Sequence, residues 1–234
     1  IFNKRAIKAA LSFSVAVSAK LLPLIFIPLF VLRLGWRRAF YFCVIVALSC
    51  VLMLLPLWDT DIITGFGQSL GLYFGKFEFN ASLYYLVREY GFWNKGFNII
   101  QSTGWKLGLV SSILIVLFAV GSTLILNGRS LKSNKLLTID NRLLTISPAL
   151  LWTLCIYFLF TTTLHPWYVA TLLALSVFTR LRFVIVWTGL IFLTYAGYTK
   201  EGFSENLWIT LTEYLLVFGY LVYELLWKKE QQPA

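Results

Sequence analysis

The chain has 234 residues, 59% of them hydrophobic and 13% charged, with a formal net charge of +10. That apolar fraction exceeds the ~45–50% usual in soluble domains and is spread along the whole length, which excludes a soluble globular domain and points to an all-α polytopic membrane protein. The cations sit between apolar runs rather than in one patch, so they read as topology signals and not as a nucleic-acid surface.

The chain begins at Ile1 and its sole methionine is Met53. Residues 1–234 are therefore expected to form a single transmembrane domain, the C-terminal part of a longer protein. Cys43, Cys50 and Cys155 all fall in apolar runs and are odd in number, so they read as buried thiols rather than a disulfide framework or a metal site.

From residue 6 to 32 the chain is apolar but carries Lys8, Lys20, Pro23 and Pro28. One continuous helix would hold a lysine near mid-membrane with two prolines after it, each deleting a backbone hydrogen bond. A broken-helix hairpin turning near 19–23 accounts for these features better. Each arm would have only ~12–15 residues, against the ~20 of a comfortable crossing. Arg33, Arg37 and Arg38 then precede a full-length apolar run at 39–57.

Residues 59–105 are too polar to cross but rich in aromatic side chains, and are expected to form an outer interfacial segment. Within it Phe79, Leu83, Leu86, Val87 and Tyr90 recur at helical spacing, with Asn80 expected as the N-cap and Gly91 just past the C-terminus. Five more apolar runs follow at 107–126, 143–162, 167–179, 183–198 and 207–227, which makes about six transmembrane helices in all.

Charge orients these spans. Lys4, Arg5, Lys8, Arg33, Arg37, Arg38, Arg129, Lys132, Lys135, Arg142, Arg180, Arg182, Lys228 and Lys229 fall on one side; Lys76, Arg88, Lys95, Lys106 and Lys200 fall on the other. The positive-inside rule makes the first side cytoplasmic. The segment 59–105 and the turn at His165 then share the outer side.

Three places could carry chemistry. Lys20 is an ammonium in or near hydrocarbon, which needs an anion or water, or else snorkels to the headgroups. His165, the only histidine, stands in a tight turn with Pro166, Trp167 and Tyr168. An imidazole there could donate to a phosphate or shuttle a proton, while the aromatic pair also suits a membrane-interface belt. Asp59-Thr60-Asp61 is an acidic pair that could hold a divalent cation, although Asp61 also suits a helix cap. Asn80-Ala81-Ser82 is formally a glycosylation sequon, poorly presented if it lies in the interface. The sequence carries no Gly-rich phosphate loop, paired-cysteine zinc spacing or Gly-x-Ser-x-Gly elbow.

Three stretches, Ser18-Ala19-Lys20-Leu21-Leu22-Pro23 with Pro28, then Phe77-Glu78-Phe79-Asn80-Ala81-Ser82-Leu83-Tyr84-Tyr85, then His165-Pro166-Trp167-Tyr168, together resemble the GT-C superfamily of integral membrane glycosyltransferases. The likeness is nearest to the family 87 polyprenyl-phosphate-dependent mannosyltransferase-like proteins, over their C-terminal part. It implies transfer of a sugar, mannose in the first instance, from a polyprenyl-phosphate donor at the outer face of the plasma (inner) membrane. It further implies that Lys20, His165 and Tyr168 address the donor phosphate, and that Glu78, Asn80 and Trp167 line the substrate cleft. The catalytic acid of such enzymes lies in an earlier outer loop, so no catalytic residue is assigned within this chain. No cofactor is implied beyond a divalent cation, and the partners are the lipid-linked sugar and membrane lipids. A lipid or solute transporter, for which a broken helix and an intramembrane lysine are equally expected, and a non-catalytic membrane subunit are the alternatives.

Overall fold

The structure, a computed structural model, describes residues 4–57, 59, 61–133, 139–200 and 202–226. Thr60 of the acidic pair and the cations Lys135, Lys228 and Lys229 lie outside these residues. Among the described residues, regular structure is helical apart from one short hairpin and one isolated bridge. Among the described residues, three helices are long and apolar enough to cross a membrane: Trp36–Leu57, Ile100–Gly128 and Leu207–Leu226. The runs at 143–162, 167–179 and 183–198 give shorter apolar helices instead.

The chain divides into two compact units, residues 1–70 with 112–136, and residues 71–111 with 137–234. In the first, α1 (Lys4–Ala19) stops at Lys20 and a 3-10 turn (Leu22–Phe26) leads into α2 (Ile27–Leu34). Pro23 and Pro28 each occupy the first turn of the segment they enter. There the missing N–H is one that no intrahelical carbonyl would have met, so both prolines are tolerated where a continuous helix would have been broken. Gly35, at φ +80°, separates α2 from α3 (Trp36–Leu54). Phe13, Phe30 and Phe42 meet ring to ring at centroid distances of 5.4–5.8 Å. The first of these contacts joins α1 to α2 and so requires the chain to reverse between them.

The helices α4 (Ile62–Gly75) and α6 (Ile100–Ser133) each run from one unit into the other. The second unit contains α5 (Leu83–Lys95), α7 (Ile139–Phe160), α8 (Pro166–Ser176), α9 (Phe183–Leu190) and α10 (Leu207–Leu226). From α9 the chain tightens into a 3-10 helix (Ile191–Gly197), then forms the hairpin β1 (Tyr198–Thr199) and β2 (Gly202–Phe203). Helices α7, α8, α9 and α10 pack in sequence order, with α5 against α7. Their shared core is apolar and fully buried at Phe158, Leu172, Val184, Trp187 and Val217. At the far end of α10 the Glu224 carboxylate accepts the Arg182 and Phe183 amides at 2.8–3.0 Å, satisfying two N–H groups that open α9.

Helix α5 corrects two expectations. Ser82, not Asn80, is its cap residue, and Gly96 at φ +74° ends it, so Gly91 lies inside the helix. The face that packs is also different: Tyr84, Tyr85 and Gly91 are buried, whereas Leu86 and Tyr90 of the expected apolar stripe are exposed. Gly91 is required because a Cβ there would meet Ile99 Cγ1 at 2.7 Å and Cδ1 at 2.9 Å. Gly91→Val is therefore expected to destabilise the protein by about 1–3 kcal/mol, the usual cost of overpacking, read as a lower thermal midpoint in detergent.

Candidate functional site

The segment around Phe79 lies alongside 161–165, just past the end of α7. The Phe79 N–H donates to the Thr162 carbonyl at 3.0 Å, and the Leu164 N–H donates to the Phe79 carbonyl at 2.7 Å, forming a parallel bridge. Three hydroxyls reinforce the join: Thr163 Oγ1 donates to the Phe77 carbonyl at 2.9 Å, Ser82 Oγ to Leu159 at 2.9 Å, and Tyr73 Oη to Thr163 at 3.3 Å. Two stretches far apart in sequence thus become neighbours.

His165 follows directly. Its backbone is extended, at φ −77° and ψ 149°, the conformation favoured before a proline, and Pro166 opens α8. The imidazole lies parallel to the Trp167 indole at 4.3 Å, packs on Phe79 at 4.6 Å, and meets Tyr168 edge-on at 5.6 Å. Phe79 carries the cluster further by stacking on Phe203 at 4.9 Å, and Phe203 packs on Tyr198 at 4.8 Å. Trp167 and Tyr198 are both 58% exposed, so the cluster presents indole and phenol to the surroundings.

Behind this aromatic surface is a buried polar core built on Asn80. The residue is fully buried and adopts a positive φ of 43°, a left-handed conformation that asparagine tolerates better than most side chains. Its N–H donates to Glu205 at 3.1 Å, its side-chain amide donates to both Glu213 oxygens at 3.1–3.2 Å, and its carbonyl accepts the Tyr214 hydroxyl at 2.9 Å. Glu205 also accepts the hydroxyls of Tyr85, Thr194 and Thr210, at 2.9, 3.2 and 2.7 Å. Glu213 receives the Trp187 indole N–H at 3.2 Å. One residue of the segment between α4 and α5 thereby pins that segment to α10.

A second, partly buried cluster lies along α5. Arg88 pairs with Glu78 at 3.3 Å and with Glu89 at 3.1 Å, and its guanidinium sits 4.5 Å from the Tyr85 ring centre. Asn98 donates to Glu78 at 3.1 Å and accepts the Tyr84 hydroxyl at 2.9 Å. Burial, and then the Glu78 carboxylate, push the Tyr84 hydroxyl well above the ordinary tyrosine range. Burial followed by Glu205 does the same to Tyr85. For Arg88, partial burial lowers its proton affinity, but Glu78 and Glu89 outweigh it and hold the guanidinium above its usual value.

Between α5 and α10 runs an apolar groove of about 300 Å³, lined by residues that include Leu83, Leu86, Leu211, Leu215 and Phe218, with Tyr85, Thr210 and Tyr214 along the side nearest the Asn80 core.

Of the residues singled out in the sequence, His165, Trp167 and Tyr168 come together with Phe79. Glu78 is held by Arg88 and Asn98. Asn80 is sealed in the core rather than lining an open cleft. Lys20 belongs to the first unit, at the break after α1. Among the described residues, no group of three or more His, Cys, Asp or Glu side chains is arranged to hold a metal ion. Sequence reasoning missed Glu205, Glu213 and Trp187. A signal for Glu213 was present, since a carboxyl well inside an apolar span is itself a site hypothesis. Comparison with protein-family models, with curated proteins and with solved structures returned no match.

Proposed function

We propose that this chain is part of a membrane glycosyltransferase that moves a sugar, mannose in the first instance, from a polyprenyl-phosphate donor to an acceptor at the outer face of the plasma membrane. The observation that carries this reading is the join of its two most distinctive stretches. Phe79 is hydrogen-bonded to the 162–164 backbone and its ring packs on His165. Those stretches belong to the set that together resembles one enzyme class, and their contact supplies what that class needs, hydrogen-bonding side chains beside an apolar lodging. The groove along α10 suits the prenyl chain of a donor that arrives from the lipid.

In this reading about six helices cross the membrane, the shorter apolar helices of the second unit included, since protein neighbours can shelter helices too short to span alone. The basic connections face the cytoplasm and the Phe79–His165 join faces outward. His165 and Tyr168 address the donor phosphate, and the resemblance alone gives Lys20 the same role. Exposed Trp167 and half-buried Glu78 contact sugar, and Asn80 supports that surface from behind.

The test is transfer from a labelled polyprenyl-phosphate sugar by full-length protein in proteoliposomes. His165→Ala and Lys20→Ala are each expected to lower the rate about 10²–10³-fold, the cost of removing one donor aimed at developing charge, with membrane insertion unchanged. Full transfer by both variants would overturn the assignment of these residues, and absence of transfer by the parent protein would overturn the function.

A further inference from the structure

The Asn80 core poses a charge problem. Glu213 is fully buried, two turns inside a helix apolar enough to cross a membrane. Its hydrogen-bond partners are neutral: Asn80 from the outer segment and Trp187 from α9. Facing the same core are Glu205, Tyr85, Tyr214, Thr194 and Thr210, none of which brings positive charge. The nearest guanidinium on α5, Arg88, is committed to Glu78 and Glu89. Among the described residues no cation pairs with Glu213, and a buried carboxylate without a cation beside it costs several kcal/mol.

The same core holds a second imbalance. Asn80 Oδ1 is buried and accepts no hydrogen bond, although the amide nitrogen beside it donates to Glu213. An orphaned buried acceptor costs about 1–3 kcal/mol. A carboxylate has no hydrogen to offer it, but a carboxylic acid has one.

The geometry points to a proton-binding site shared by Glu213 and Asn80: Glu213 is a neutral carboxylic acid whose O–H donates to Asn80 Oδ1 while Asn80 Nδ2 donates back to the other carboxyl oxygen. This cyclic pair replaces the nitrogen's present contact with both carboxyl oxygens. One proton thereby removes the uncompensated charge and satisfies the orphaned oxygen together. The Trp187 N–H remains on the carbonyl oxygen of the acid. The site latches the outer segment to α10 through a bond that exists only while the proton is held. It is independent of any sugar transfer by the chain.

Infrared difference spectroscopy of the full chain in nanodiscs at neutral pH tests this. The wild type is expected to show the carbonyl stretch of a protonated carboxyl, shifted in D₂O, and Glu213→Gln is expected to lose that band. Asn80→Ser is expected to move it to higher frequency, because the acceptor of the acid's hydrogen bond is changed. Identical carboxyl regions in wild type and Glu213→Gln would overturn the proton site. A band that Asn80→Ser leaves in place would overturn the pairing. Should Glu213→Gln not fold, Glu213→Asp keeps the acid and is expected to shift the same band; no shift would count against the assignment.

Discussion

Asn80→Ala is expected to destabilise the protein by about 2–4 kcal/mol, from a buried hydrogen-bond loss of about 1–3 and a left-handed backbone cost of about 1. The first term arises because, among the described residues, the side-chain amide is the only group of the segment between α4 and α5 that hydrogen-bonds Glu213. Removing it leaves the buried carboxyl with only the Trp187 N–H. The second arises because φ is +43° at this position and alanine resists that conformation. Asn80→Gly separates the two, since glycine lacks the amide but adopts the backbone freely, and its loss is expected to be smaller by about 1 kcal/mol. Thermal unfolding in detergent, followed by intrinsic tryptophan fluorescence, reads both. A midpoint unchanged in Asn80→Ala would mean that the segment is held by the Phe79 bridge and not by the polar core.

Gly197→Ala is expected to cost about 3 kcal/mol, the upper end of the overpacking range. A Cβ at this position would stand 2.5 Å from the Ser204 carbonyl oxygen and 3.0 Å from the Phe203 ring. The first obstacle is backbone, and it is tied in place by the Ser204 N–H donating to the Gly197 carbonyl at 2.9 Å. Relief therefore requires the whole hairpin to move, and with it Phe203, which stacks on Phe79. The aromatic cluster around His165 should loosen in the same variant, seen as altered near-ultraviolet circular dichroism. Gly189→Ala is the control, because nothing lies within 4 Å of a Cβ there; its midpoint is expected to stay put.

Much of the local architecture is legible in the residues themselves. The long apolar helices Trp36–Leu57, Ile100–Gly128 and Leu207–Leu226 coincide with runs whose composition alone demands burial in lipid. Pro23 and Pro28 mark segment starts, since proline acts on the residues next to it wherever the chain goes. The extended backbone of His165 and the start of α8 at Pro166 follow from the same steric rule. Helix α5 is less legible. Its periodicity is plain, but which face packs on protein is not, because exposed Leu86 and Tyr90 suit lipid as well as buried side chains suit a core.

Composition and spacing thus determined that the chain belongs in a membrane, where its long helices lie, and that segments begin at Pro23 and Pro28, because these depend on solvent transfer and on neighbouring residues. Only the tertiary structure decided which distant groups meet. Asn80 and Glu213 stand 133 residues apart, and nothing local to either specifies the other. Their pairing exists because the fold brings residues 77–82 both to the end of α7, through the Phe79 bridge, and to α10, where a fully buried carboxyl must take whatever donors the packing supplies. A hydropathy average over Leu207–Leu226 absorbs that single glutamate, whereas the fold makes it the centre of the polar core.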